Sequence, residues 1–250
     1  MVRKPPCTID EWILALDTYF MLEPSEIRHD NPLIIELSQT LRSLPIHGDA
    51  RNDETFRNVN GMVMQLYRFI AFDLNYNYKN ILNSHSNLQR KVWDMYSQNK
   101  RRLHEVALAI KNSLPLPFEF SHFPDVNEDN FPYGKILYQY HRYVENTSLP
   151  AKKFREGQKR IGFLGCEICG FDFYITYGEV GRSFIEAHHT LDITKYTKEM
   201  DVKIVDFIAV CSNCHNMLHR ILKAVNRYEL REKGIECIIT SGIQRREDIC

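Results

Sequence analysis

Two Cys-x-x-Cys pairs constrain this chain more than any other feature. They are Cys166-Glu-Ile-Cys169 and Cys211-Ser-Asn-Cys214, and a His188-His189 dipeptide lies between them. The second pair runs directly into His215-Asn-Met-Leu-His219. Four thiolates in two such knuckles satisfy a tetrahedral zinc ion with no position left open. A staple of that kind ties the segment before the histidine pair to the start of the segment after it. The remaining cysteines, Cys7, Cys237 and Cys250, stand alone and read as ordinary thiols. A redox dithiol would need one Cys-x-x-Cys in a thioredoxin-like pattern, which is missing.

Once the cysteines are assigned to zinc, four histidines remain. Residues four apart share a helical face, so His215 and His219 can grip a second metal together. Neighbouring strand residues point to opposite sides, so His188 and His189 serve one site only if the strand ends there. The loop Thr190-Leu-Asp192 permits that ending. One histidine of the pair can then complete a metal triad while the other stays available as a base. The alternative is a mixed Cys/His zinc site with the other histidines structural.

Around this unit the chain reads as a folded α+β protein. Its apolar content of 44% and charged content of 26% suit a globular chain. It has no apolar run near the length of a membrane span. The N-terminus leads straight into a patterned helix without a signal-peptide core, so a cytoplasmic protein is expected. The formal net charge is zero, which supplies no bulk attraction to nucleic acid. Basic residues are nevertheless clustered at Lys100-Arg101-Arg102 and through Lys152, Lys153, Arg155, Lys159 and Arg160.

Residues 1–114 are expected to form an all-helical domain. Thr8-Ile-Asp-Glu11 matches a capping box before Trp12, Ile13, Leu16 and Phe20. Further helices are expected over Pro32 to Leu41, after Asn60-Gly61, and as one long stretch from Leu88 to Leu114. Pro115-Leu-Pro117 ends the pattern, and 115–160 reads as a connector. From 161 to 250 the period changes. Phe171–Tyr177 and Ser183–Ala187 read as strands around Gly178-Glu-Val-Gly181, Phe207–Val210 as a third strand, and Asn213–Leu222 as a helix.

The run Glu186-Ala-His188-His189, followed by Cys-x-x-Cys-His215-x-x-x-His219, resembles the HNH (ββα-metal) endonucleases. The resemblance implies that His188, His215 and His219 bind a catalytic divalent ion, Mg²⁺ or Mn²⁺, and that His189 is the general base. It also implies a structural zinc on Cys166, Cys169, Cys211 and Cys214. Where the family carries Asn five residues before the third cysteine, this chain has Asp206. That carboxylate can accept a hydrogen bond from the base or hold the loop backbone. Cys166 to Phe173, Tyr177-Gly-Glu179 and Phe184 to Thr190 look like the McrA-type subgroup directed at modified cytosine. Glu11 to Asp17, Leu37-Ser38, Leu41-Arg42, Phe56 to Leu66, Val92-Trp93 and Val106 to Ile110 extend the likeness to the N-terminal region.

The fold implied is an N-terminal helical recognition domain followed by a zinc-stapled ββα-metal nuclease domain. The implied substrate is double-stranded DNA carrying 5-methylcytosine or 5-hydroxymethylcytosine, cut by a homodimer to leave 5′-phosphate and 3′-hydroxyl ends. Arg57, Asn58, Asn60 and Gln65 could reach bases or phosphates, and Lys152 and Lys153 could reach phosphates. Asn58-Val-Asn60-Gly61 equally reads as a helix-entry turn. Trp12, Trp93 and the tyrosines could line a pocket for a flipped base, although such residues are commonly core. Two other functions fit the same residues: an endonuclease reading an unmodified sequence, and a zinc-bearing DNA-binding protein without activity.

Overall fold

A computed structural model describes residues 4–76, 86–114, 134–161, 164–190 and 203–219. The chain divides into two compact units. One comprises Met1–Asp129 with Tyr133–Leu137, the other Asn130–Pro132 with Tyr138–Cys250. The first part of the expected connector, residues 115–133, lies outside the described residues, as do Cys237, Cys250 and the end of the last expected helix.

The first unit is built around α1 (Ile9–Phe20). Thr8 Oγ accepts the Glu11 N–H while the Glu11 carboxylate accepts the Thr8 N–H, which closes the capping box expected there. Nearly every residue of α1 is buried, as befits a helix surrounded on all sides. It packs against α2 (Pro32–Ser43), α3 (Val59–Ile70), α4 (Asn87–Tyr96) and α5 (Lys100–Ser113). Trp12 and Trp93 both flank Phe69, edge-on at 5.8 Å and stacked at 6.2 Å. Trp12 is thus part of the core rather than the wall of a base pocket.

One long helix was expected over Leu88–Leu114, but the structure has two. Asn99 turns its side chain onto the Arg102 N–H at 3.0 Å and caps α5, so the chain breaks at the polar Ser97-Gln98-Asn99. Similarly, α3 begins at Val59 because Asn58 accepts the Gly61 N–H at 2.9 Å. Asn60 and Gly61 therefore belong to its first turn.

Helices α6 (Lys135–Thr147), which belongs to the second unit from Tyr138 onward, and α7 (Leu149–Ile161) occupy what reads as connector in the sequence. The strands β1 (Glu186–His189) and β2 (Phe207–Val210) pair antiparallel, with His188 opposite Ile208 and His189 opposite Phe207. One sheet face carries Ala187, Phe207 and Ala209 and packs on Ala151 and Phe154 of α7. The other carries Ile208 and Val210, which pack with Cys166, Ile168, Cys211 and Leu218. Leu218 ends the helix α9 (Ser212–Leu218), so that sheet face lies against α9.

The expected strand over Phe171–Tyr177 is instead a short helix, α8 (Phe173–Tyr177). The Asp172 carboxylate accepts the N–H groups of both Tyr174 and Ile175, and this cap outweighs the strand preference of the aromatic residues. A 3-10 turn, Gly178–Gly181, follows. The next strand starts at Glu186 rather than Ser183, because Ser183 has a φ of 61°, outside the extended region.

Candidate functional site

The four cysteines come together as their spacing requires. Their sulfurs all lie within 4.8 Å of one another, and Cys169 Sγ is 3.7 Å from Cys211 Sγ. Tetrahedral zinc with the usual zinc–sulfur bond sets neighbouring sulfurs about 3.8 Å apart. The first knuckle turns through Gly170, whose φ is 72°, and its N–H donates to the Cys166 carbonyl. The second sits on the start of α9, where Cys211 is the N-cap. Hydrogen bonding from the Cys214 thiol is the main force holding Cys166 down to about 4. The same hydrogen bond pushes Cys214 up, and burial raises Cys169 to about 11, so without an ion the negative charge settles on Cys166.

A second cluster forms on the α9 face of the sheet. His188 projects from β1, while His215 and His219 lie one turn apart at the end of α9 with their Nε2 atoms 3.0 Å apart. A fourth donor joins them from α6, which no motif marks. The Glu145 carboxylate is 0% exposed. Its Oε2 is 2.9 Å from His215 Nε2 and 3.0 Å from His219 Nε2, and its Oε1 is 2.8 Å from His188 Nδ1. All four donor atoms fall within 4.8 Å, a set that could hold a metal ion.

Charge explains why a carboxylate can be buried there. Burial alone would push Glu145 up, but His141, His188 and His219 outweigh it and hold the acid well below its ordinary range. Burial also keeps His141 well below its ordinary value and lowers His188 to about 4. His215 is raised instead. Carboxylates flank both of its nitrogens, Glu145 at Nε2 and Glu186 at Nδ1 (2.5 Å), and these overcome burial. Ser212 Oγ donates to Glu186 in turn. A carboxylate on the far nitrogen of a metal-binding histidine fixes its tautomer and aim. Arg142 Nη1 lies 3.0 Å from His215 Nδ1, and its side chain is partly exposed.

His189 is placed differently from its neighbour. It faces the α7 side of the sheet, with its ring edge-on to Phe207 at 4.9 Å and 6.3 Å from that of His141. It is the last residue of β1 and is 1% exposed. Its backbone N–H donates to Glu145 Oε1 at 3.0 Å. Asp206 turns its carboxylate onto the Lys203 N–H. Its carbonyl accepts both the N–H and the Oγ of Thr190, so it pins the residue that follows His189.

The residues expected to contact DNA fall into two groups. Arg57 is buried, paired with Glu11 and bonded to the carbonyls of Pro5 and Pro6. Asn58 caps α3, and Gln65 accepts from Arg68. These three side chains are engaged within the first unit, whereas Asn60 is exposed. Lys152 and Lys153 are exposed on α7, as are Lys159 and Arg160.

Of the second cluster, the sequence marks the three histidines but not Glu145, His141 or Arg142. The available signal is His141-x-x-x-Glu145, two ionisable residues one helical turn apart on a helix whose Ile136, Leu137 and Val144 are buried. Comparison of the chain with protein-family models, with curated proteins and with solved structures returns no match.

Proposed function

We propose that the chain is a metal-dependent DNA endonuclease. The observation that carries this reading is the pair of clusters sharing α9, one all sulfur and closed, the other rich in imidazole and set against a two-stranded sheet. In this reading Cys166, Cys169, Cys211 and Cys214 hold a structural zinc, and His188, His215 and His219 hold a divalent ion. Such an ion neutralises phosphate charge and stabilises the departing 3′ oxygen. Glu186 aims His215. Arg142, at the exposed edge of the cluster, meets a phosphate oxygen, and Lys152 and Lys153 draw the backbone of the duplex along α7. His189 takes the proton of the attacking water through its neutral imidazole, with Asp206 fixing the loop beside it.

The McrA-like sequence pattern further suggests double-stranded DNA with modified cytosine as substrate. Methylated and unmethylated copies of one plasmid, incubated with Mg²⁺ or Mn²⁺, test that refinement. Selective cutting of the methylated copy is expected; equal cutting removes modification dependence but leaves the nuclease. His189→Ala is expected to lower cleavage by at least a hundredfold, the scale of a lost general base, with zinc content unchanged.

A second reading, a metal-stapled DNA-binding unit without activity, is favoured by the burial of His189. If the wild-type chain cuts no DNA with any divalent ion, that reading replaces the first.

A further inference from the structure

Glu145 deepens the nuclease reading and rests on its assignment of the histidines. Hydrolytic metal sites keep three protein donors and leave a position for water, whereas four protein donors make a closed structural site. His188, His215 and His219 by themselves are an open set. Glu145 closes it, because its Oε2 touches two of the three histidines and its Oε1 touches the third. Its second-layer contacts hold it there: His141 Nε2 lies 3.4 Å from Oε1, and the His189 N–H donates to the same oxygen at 3.0 Å. A buried carboxylate held from this many directions is fixed in place.

We propose that Glu145 is a metal ligand and that it makes the identity of the bound ion the regulator of this site. Zinc is satisfied by four donors, so three imidazoles and a carboxylate complete its shell and shut out both water and phosphate. An ion that prefers six donors, such as Mn²⁺, keeps positions for both with the same four ligands. At equal donors zinc binds more tightly than Mn²⁺. Zinc therefore displaces the working ion and silences the site while also filling the cysteine cluster.

The test uses the full chain, stripped by chelator and reconstituted. Wild type is expected to take up two zinc ions, counted by mass spectrometry, with the affinity of the second measured against a chromophoric chelator. Glu145→Gln keeps the side-chain volume and removes the charge. It should retain the first zinc and weaken the second at least tenfold, since even outer partners of metal ligands command that much. With Mn²⁺-supported cleavage as readout, the variant should also need at least tenfold more zinc for half-inhibition.

A second zinc held equally by wild type and variant overturns the proposal, as does a folded wild type that binds only one. Folding is judged by helical circular dichroism and retention of the first zinc. If Glu145→Gln fails that check, Glu145→Asp, which withdraws the carboxylate by one methylene, gives the same comparison. Cleavage with Mn²⁺ and no zinc inhibition sinks the regulation while sparing the nuclease. Absence of cleavage with every ion sinks the nuclease and the regulation together; a second zinc that depends on Glu145 would then remain as a closed structural site.

Discussion

Glu11 and Glu145 are both buried carboxylates, and the difference between them lies in what neutralises each. Glu11 has a permanent cation. Its Oε1 is 2.5 Å from Arg57 Nε and its Oε2 is 3.0 Å from His47 Nε2. Burial would raise Glu11, but the hydrogen bonds from His47 and Arg57 prevail and lower it. Glu11→Gln should leave the Arg57 charge buried without its partner and cost about 3–5 kcal/mol in urea unfolding. Because the folded acid is depressed, this contribution is complete above the ordinary carboxylate range and is lost as pH falls from that range through the lower value of the folded acid. Wild type and variant should therefore converge in stability under acid. Arg57 looks like a DNA contact in the sequence because a charged residue beside two asparagines says nothing about burial. Its partner, Glu11, is 46 residues away. The charges that hold Glu145 down are those of imidazoles, His141, His188 and His219, and they depend on protonation or on a bound ion.

At the level of elements, local chemistry was legible and distant pairing was not. The capping residues Thr8 and Asn58 set helix starts through contacts within three residues, so a sequence window contains the whole cause; the equally local cap at Asn99 was passed over in favour of one long helix. Phe171–Tyr177 misled because its aromatic residues favour strands, and one aspartate cap was enough to reverse that preference. Helix α6 was hidden for a different reason. Its role depends on meeting β1 and α9, and the His141-x-x-x-Glu145 spacing does not by itself separate a buried carboxylate from a solvated one. The turn after α8 gives a direct test. A Cβ placed on Gly181 would lie 2.0 Å from the Phe173 carbonyl oxygen, a backbone atom with little room to retreat. Gly181→Ala should lower the stability of this unit by about 1–3 kcal/mol, the usual scale of overpacking. Gly157, inside α7 with nothing within 4 Å of its would-be Cβ, makes the matched control. Gly157→Ala should stabilise the unit by about 0.5–1 kcal/mol through helix propensity alone.

For the whole molecule, the two units differ in what holds them together. The first has a continuous apolar core around α1, and its buried charges are met by protein groups. Among the described residues the second has less regular structure, with a sheet of two strands, and a sheet of that size needs additional support to be stable. If the cysteine cluster carries zinc, chelation should remove one thermal transition and leave that of the first unit in place, a result calorimetry would show directly. A single transition lost or kept as a whole would mean that the units do not melt separately.

Helix α9 has a consequence for how such a protein matures. Cys211 caps its start and Cys214 lies in its first turn, while His215 lies mid-helix and His219 caps its end, on a helix of only seven residues. A helix this short does not persist in water unaided. If the four cysteines carry zinc, the ion would fix the start of α9 and so help present His215 and His219 together, and the two sites would load in order. On that reading, a newly made chain short of zinc would hold a second ion poorly, and its competence would follow the zinc supply at birth.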